Sequence, residues 1–469
     1  MSLFARVLFV GCLAAAPAQE TAAPLNLLLV TADDMNADSS GWMGGKAGVT
    51  PNLDAFAATC MRFEQGHVVA PICQPCRSAL MTGRVPHRNG ALGFDPILKD
   101  VPTLMEILRE RGHFAACLNK VPHTAVKPGV NPWDMTDNAS GKNPKAFGER
   151  VREAIKAAAD AKKPFFINAN ITDPHRPFPG SAQEETRKGK GKGKGVESAG
   201  EVAPLDPKDV AVPSFLEDLP PVRKEVAQYL TGVRRFDLSL GELLKALRDS
   251  GREERTVILF LSDHGMSFPF SKATVYRNGT RSPFLLRWPG MGEPKAFKTE
   301  MVASVDLLPT LLELLAVPVP AGLDGRSLLP LVRGEKQEGR DHVITYVNTV
   351  SSGASFPQRC VRTLARSYLW QAWLDGNTRL RVEAFHGLTY AALEEAATTD
   401  PRIKARFDQL VLGAREQFFD LEEDPDERRN LIDDPRHREE IDRLRRLLLA
   451  EMERTQDPQL EAFRKTVGR

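Results

Sequence analysis

Nothing in this sequence approaches the ~18 uninterrupted apolar residues that a bilayer-spanning helix needs, so a helical membrane span is not expected. Charge of one sign is not in excess either: Lys plus Arg total 63 against 61 for Asp plus Glu in 469 residues. A net charge so close to zero gives no global case for nucleic-acid binding, and any preference for an anionic partner must be local. Internal repeats and long heptad runs are absent as well, which sets solenoids and coiled coils aside. Cysteine is sparse, with 6 in the whole chain.

Hydrophobic residues make up 42% of the chain, enough for a large globular core and a second, smaller domain. From Met1 the sequence runs through Arg6, an apolar stretch from Val7 to Ala16, and then Ala16-Pro17-Ala18, a small-x-small pattern that signal peptidase accepts. Residues 1–18 therefore read as a cleaved signal peptide, and the mature chain is expected in the periplasm or outside the cell. Its removal takes Cys12 away and leaves Cys60, Cys73, Cys76, Cys117 and Cys360. An odd set in an oxidising compartment means that at least one cysteine is not paired. It is either a buried, inert thiol or a chemically used one.

The run from Leu25 to Thr31 is apolar and ends in Ala32-Asp33-Asp34, the pattern of a buried parallel strand with polar residues at its carboxyl end. Similar runs recur at Phe114 to Leu118, Phe165 to Asn170 and Val257 to Ser262. Helical patterns separate them at Thr103 to Arg111, Glu149 to Ala161 and Arg223 to Ser250. Alternation of this kind predicts an α/β fold with a mostly parallel sheet flanked by helices, whose ligands sit at the carboxyl ends of the strands. Between Arg187 and Gly195 the sequence RKGKGKGKG can bury nothing and is expected as a mobile basic loop: a solvated insertion, or a screened attraction for a polyanionic substrate. After about Gln358 the composition changes. Strand-like pieces at Leu369 to Leu374, Thr378 to Glu383 and Gln417 to Asp420 precede a charged helix from Arg436 to Arg454. Residues 19–357 are thus expected as one α/β domain and 358–469 as a smaller α+β domain.

The chemically richest stretch is Cys73-Gln74-Pro75-Cys76-Arg77, followed by Thr82-Gly83-Arg84. It admits a redox pair of the Cys-x-x-Cys type, a structural pair of thiols, or a Cys-x-Pro-x-Arg motif with a different use for its cysteine. Elsewhere, Asp33-Asp34 ends the first strand and Ser262-Asp263-His264-Gly265 ends a late one. Three carboxylates and an imidazole at one sheet edge are costly without a cation. A hard divalent ion relieves that cost, and calcium suits the donor set better than zinc.

Taken in order, these motifs resemble the sulfatase family over essentially the whole mature length, with Asp424-Pro425-Asp426-Glu427 and Asn430-Leu431 matching a C-terminal family segment. The resemblance implies an alkaline-phosphatase-like fold, a nucleophile made from Cys73 by oxidation to formylglycine, and a formylglycine-generating enzyme as maturation partner. It also implies a calcium site made by Asp33, Asp34, Cys73, Asp263 and His264, the last standing where many members have asparagine. Arg77 matches the arginine beside the nucleophile. Lys120 and His123 match a Lys…His pair, and His175 and Lys272 match the remaining sulfate-binding positions, with one of these two expected to protonate the leaving group. Within the family the segments Ser39-Ser40-Gly41, His87-Arg88-Asn89-Gly90, Asp173-Pro174-His175-Arg176 and Thr455-Gln456-Asp457-Pro458 resemble the N-sulfoglucosamine sulfohydrolase (sulfamidase)-like bacterial members. A sulfated glycan is the substrate this implies, with hydrolysis of an O-sulfate ester of the iduronate-2-sulfatase type as the alternative. A phosphatase or phosphodiesterase on the same fold calls for a Ser or Thr nucleophile and a di-zinc ligand set, which the chain does not offer in order.

Overall fold

The computed structural model describes residues 24–46, 48–124, 127–189, 200–374 and 377–468. The expected signal segment lies outside the described residues. So does most of the basic stretch, although the backbone of Arg187 to Gly189 closes a helix, Ala182–Gly189, rather than belonging to a loop.

Eight strands form the main sheet. Edge to edge they are Met135–Asp137, Phe114–Leu118, Phe165–Pro174, Asn26–Asp33, Thr256–Ser262, Phe284–Arg287, Met61–Phe63 and Ala296–Phe297. The first five are mutually parallel, and the Phe284–Arg287 strand is antiparallel to both of its neighbours. This is the mixed, mostly parallel sheet expected from the alternating pattern.

The central strand shows why the runs are apolar throughout. Leu28, Val30 and Ala32 enter one hydrophobic cluster, while Leu27 and Leu29 enter another on the opposite face. A strand with both faces covered has no solvent side on which to place polar residues, and each buried Leu or Val contributes roughly 1.5–3 kcal/mol. One face is covered by helices Pro144–Asp160 and Pro220–Asp249, through residues such as Phe147, Val151, Val226 and Val233. Helices Cys73–Thr82, Leu104–Glu110 and Leu307–Leu314 cover the other, through Leu80, Leu108 and Leu311. Helix Pro144–Asp160 begins five residues ahead of its expected start at Glu149, because Asn143 caps it by accepting from the Ala146 amide at 3.2 Å and Pro144 occupies the first turn.

A second, antiparallel sheet follows in the order His342–Thr349, Ser355–Thr363, Arg366–Gln371 and Glu416–Asp420. One side of it joins the main core through Leu369 and Phe419, and the other packs Trp370 and Phe418 against helices Arg438–Thr455 and Leu460–Val467. The composition change at Gln358 falls inside the second strand of this sheet, so composition and sheet do not divide the chain at the same residue. One expected strand does not form. Thr378 to Glu383 is irregular and leads into a short helical turn, Glu383–His386, within the long connection between the last two strands. Two charged side chains, Arg379 and Arg381, alternate there with Leu380 and Val382, and that alternation imitates a strand without a neighbour to pair with.

Candidate active site

Four adjacent parallel strands deliver the functional residues to one edge of the sheet. Leu118 leads into Asn119-Lys120, the Phe165–Pro174 strand into His175, Asp33 into Asp34, and Ser262 into Asp263-His264. The register aligns Ala32 with Ser262 and Asp33 with Pro174, so these ends are level. The chain leaves the strands sharply: Asp34, Asn119 and Lys120 have φ of 66°, 58° and 51°. Left-handed non-glycine residues are uncommon and concentrate where surrounding structure enforces them. Gly265 is required by space, since a Cβ there would lie 1.8 Å from the Asn278 carbonyl oxygen.

Cys73 opens the first turn of its helix and is 3% exposed. Its Sγ lies 3.8 Å from Asp33 Oδ1 and 3.3 Å from His264 Nε2. Burial first, and then the Asp33 and Asp263 carboxylates, push the thiol well above its usual range against the pull of Lys272. A Cys-x-x-Cys redox pair needs the opposite, a thiol whose pKa is lowered. Cys76 belongs to the apolar cluster with Leu80 and Met81, and both cysteines are free.

The carboxylates are held by a fixed set of cations. Arg77 donates to Asp263 Oδ2 at 2.8 Å and to Thr31 Oγ1 at 2.9 Å, also binds Asn170 Oδ1, and stands 3.7 Å from Asp33 Oδ1. Lys120 pairs with Asp33 Oδ2, and Lys272 Nζ lies 3.0 Å from Asp34 Oδ1. Burial would raise Asp33, but Lys120, His175 and Arg77 together hold it well below the usual carboxylate range. At Asp34 burial wins over Lys272 and His264, and the carboxyl is pushed up to about 6.

The ligand atoms of Asp33, Asp34, Cys73 and His175 lie within 4.8 Å of one another, as do those of Cys73, Asp263 and His264. Asp33 Oδ2 and Asp34 Oδ1 are buried and accept no hydrogen bond, although each lies against a lysine ammonium. Buried carboxylate oxygens left open in this way, in a set dominated by oxygen, fit a hard divalent cation.

His175 sits above this floor. Its Nδ1 lies 2.6 Å from the Arg176 carbonyl oxygen, to which only an Nδ1–H can donate, so the neutral ring presents Nε2 to the cavity, 3.6 Å from Glu383 Oε1. Burial, with Lys120, holds this ring well below the usual histidine range, and a carboxylate at 3.6 Å does not reverse that. His123 lies on the turn after Lys120, edge-on to Phe94 at 5.2 Å. Burial and the Lys120 charge push it down to about 4, so at neutral pH its ring can accept a proton. It makes no hydrogen bond to the other site residues and stands at the rim.

The structure adds residues that the motifs do not single out. Thr31 and Asn170 receive Arg77, and Asn168 and Asn170 interrupting an apolar strand were a readable signal for such a role. Lys142, half-buried, lies 3.3 Å from Asp173 Oδ1 and binds the His175 and Pro177 carbonyls, fixing the His175 loop. Glu383 comes from the connection between the last two strands and contacts Lys272 Nζ at 3.0 Å. Burial would raise its carboxyl, but Lys272 and His175 carry it down to about 2. Nothing in its sequence surroundings marks it.

A buried nucleophile position ringed by one arginine and two lysines, at the carboxyl ends of parallel strands, defines an α/β hydrolase for anionic groups. The chain belongs to the sulfatase family, whose model, described as Sulfatase, matches residues 25–317. Human N-sulphoglucosamine sulphohydrolase is 28% identical over 477 residues, covering 93% of this chain and 91% of that protein. A 2-O GAG sulfatase superposes with a TM-score of 0.67 at 20% identity, covering 93% of both chains. A phosphonate monoester hydrolase from Silicibacter pomeroyi superposes equally well, at 0.67 and 16% identity, covering 93% of this chain and 96% of the other. At such identities the two structural likenesses concern the fold alone. Among the described residues no helix is long and apolar enough to cross a membrane.

Proposed function

We propose that the protein removes sulfate from a sulfated glycan, acting on an N-sulfoglucosamine-type sulfamate or an O-sulfate ester, with residue 73 as formylglycine and calcium as the ion. The observation that carries this reading is the placement of Cys73 Sγ, 3.8 Å from Asp33 and 3.3 Å from His264, on the floor of a site bounded by Arg77, Lys120 and Lys272. The glycan class is drawn from the names of the relatives, N-sulphoglucosamine sulphohydrolase and a 2-O GAG sulfatase.

Asp33, Asp34, Asp263 and His264 would hold the cation together with the side chain at position 73. When present, the ion supplies fixed positive charge and the hydrated aldehyde supplies a hydroxyl able to attack sulfur. The chain's own residues do the rest. Lys120 and Lys272 neutralise the incoming sulfate oxygens. Arg77 holds Asp263 in place and helps keep Asp33 ionised. His175 Nε2 faces the cavity, and the leaving oxygen or nitrogen is protonated either by the Lys272 ammonium or by His175 once Nε2 has taken up a proton. His123, neutral at physiological pH, takes up a proton when the site resets. Export directed by residues 1–18, to the periplasm or the outside, and maturation by a formylglycine-generating enzyme belong to the same proposal.

The test is peptide mass spectrometry of protein co-expressed with a formylglycine-generating enzyme, combined with sulfate release from N-sulfoglucosamine and from an aryl sulfate. The expected peptide has exchanged the sulfur and two hydrogens of Cys73 for an oxygen. An unmodified thiol or a Cys73–Cys76 disulfide, with no sulfate release, refutes the reading. Cleavage of a phosphonate or phosphate ester alone would move the protein to the phosphoryl-transfer branch of the fold.

A further inference from the structure

The cavity beside Lys120 and His175, about 480 Å³, also has Glu383 and His386 in its wall. His386 has a second role, because it lines an adjoining depression of about 340 Å³ together with Arg379, Arg381, Phe385 and Tyr390. Each volume falls in the ~300–1,000 Å³ range of clefts that take small ligands. The second depression is built entirely from the connection between strands Arg366–Gln371 and Glu416–Asp420.

That connection is anchored. Glu225, on helix Pro220–Asp249 and 1% exposed, accepts from the amides of Leu388 at 3.0 Å and Thr389 at 2.7 Å and pairs with Arg176 Nη1 at 2.8 Å. Gly387 allows the approach, since a Cβ there would lie 2.4 Å from both Arg176 Nη2 and Glu225 Oε1. The wall is thereby tied to the loop that bears His175.

Along Arg379 to Val382 the chain alternates. Leu380 and Val382 are buried, and the Leu380 amide donates to the Val411 carbonyl at 2.9 Å, which leaves Arg379 and Arg381 on the outer side. Both arginines are exposed. Neither has an ion-pair partner among the described residues, whereas most other arginines of the C-terminal region are matched to a carboxylate. Next to them the rings of Phe385 and Tyr390 stack at 4.2 Å with 17° between their planes. Glu394, at the far end, interacts with the Tyr390 hydroxyl at 3.5 Å and does not cancel the two guanidinium charges.

We propose that this depression is a subsite for an anionic sugar unit adjoining the one that carries the scissile sulfate, so that the protein prefers oligosaccharide or polysaccharide chains to sulfated monosaccharides. A guanidinium offers planar, bidentate donors to sulfate or carboxylate, and an aromatic face packs on the C–H face of a sugar ring. His386, in the wall of both, sets the two cavities side by side. This inference rests on the sulfated-glycan reading, and the experiment separates the two.

The measurement is kcat/KM on N-sulfoglucosamine and on an N-sulfated tetrasaccharide with the same terminal unit, for wild type and for the double variant Arg379→Ala, Arg381→Ala. The double variant should lose about tenfold on the tetrasaccharide, through KM, as two surface charge contacts together would cost, and nothing on the monosaccharide. Unchanged monosaccharide turnover also shows that the variant is folded. Equal losses on both substrates, or no loss on the tetrasaccharide, overturn the subsite. If wild type releases no sulfate from either compound, the functional reading fails by itself. Tetrasaccharide binding to the Cys73→Ala protein, with and without the two arginines, then still decides the subsite: binding that weakens with their removal supports it, and binding indifferent to them refutes it.

Discussion

Replacing Arg77 by methionine removes a cation from a place where two carboxylates depend on it. The guanidinium is 2% exposed, 2.8 Å from Asp263 Oδ2 and 3.7 Å from Asp33 Oδ1. Methionine fills similar volume, so the loss is one of charge and hydrogen bonds rather than packing. Deleting one partner of a buried, hydrogen-bonded pair costs about 3–5 kcal/mol, because the other partner stays desolvated and unpaired. In a chain of this size each kcal/mol moves the melting temperature by about one to two degrees, so a fall of roughly 3–10 °C is expected in chelator, read by thermal scanning. Excess calcium should recover part of that fall, since an ion at the same carboxylates takes over their neutralisation. Turnover should drop by about 10²–10³-fold, the scale seen when one charge-stabilising donor is lost. Arg77→Lys should fall between, because a single ammonium cannot span Asp263 and Thr31 as the fork does. An Arg77→Met protein that melts with wild type in chelator, or that retains wild-type turnover, refutes this account of the site.

Three further outcomes follow from the same geometry. His87 is 3% exposed, edge-on to Tyr346, and 4.0 Å from an Asp457 already engaged by Arg359 at 2.6 and 2.8 Å, so burial holds it down to about 4. Its folded pKa is depressed, so its contribution is full above about pH 6.5 and is lost as pH falls towards 4, by up to about 3 kcal/mol. His87→Gln should flatten the dependence of the urea midpoint on pH in that window, and a parallel curve would contradict the assignment. Glu383→Gln leaves Lys272 with Asp34 as its remaining carboxylate partner and should lower kcat/KM on sulfated sugars about tenfold, with a smaller effect on an aryl sulfate. Calcium at a hundred times its Kd should add about 2.7 kcal/mol of stability to wild type, and Asp34→Asn should abolish most of that gain in a thermal titration.

Much of the site is legible in the order of residues along the chain. Apolar runs ending in Asp33-Asp34 and Asp263-His264 announce buried parallel strands with polar ends, and their chemistry is local enough to read from neighbours. Arg77 stands one helical turn after Cys73, so the motif also carries the orientation that aims both at the same edge. Other features were hidden. The start of helix Pro144–Asp160 was masked by Pro144 and Gly148, two poor helix formers in its first turns, and the strand expected at Thr378 to Glu383 had the right alternation but no partner. Lys142 and Glu383 look like surface charges in sequence.

What the sequence by itself determined was the four central parallel strands, three of the helices that cover them, and the residues waiting at the strand ends, because period and propensity act over a few neighbours. Only the tertiary structure decided which ends meet. The order of the strands puts Lys120, His175, Asp33 and Asp263 side by side although they are distant in the chain. It also brought Glu383, more than a hundred residues after Lys272, to 3.0 Å from its ammonium. That contact depends on the long connection being pinned by Glu225 and Arg176, and a pairing of this kind is set by long-range packing that no local pattern encodes.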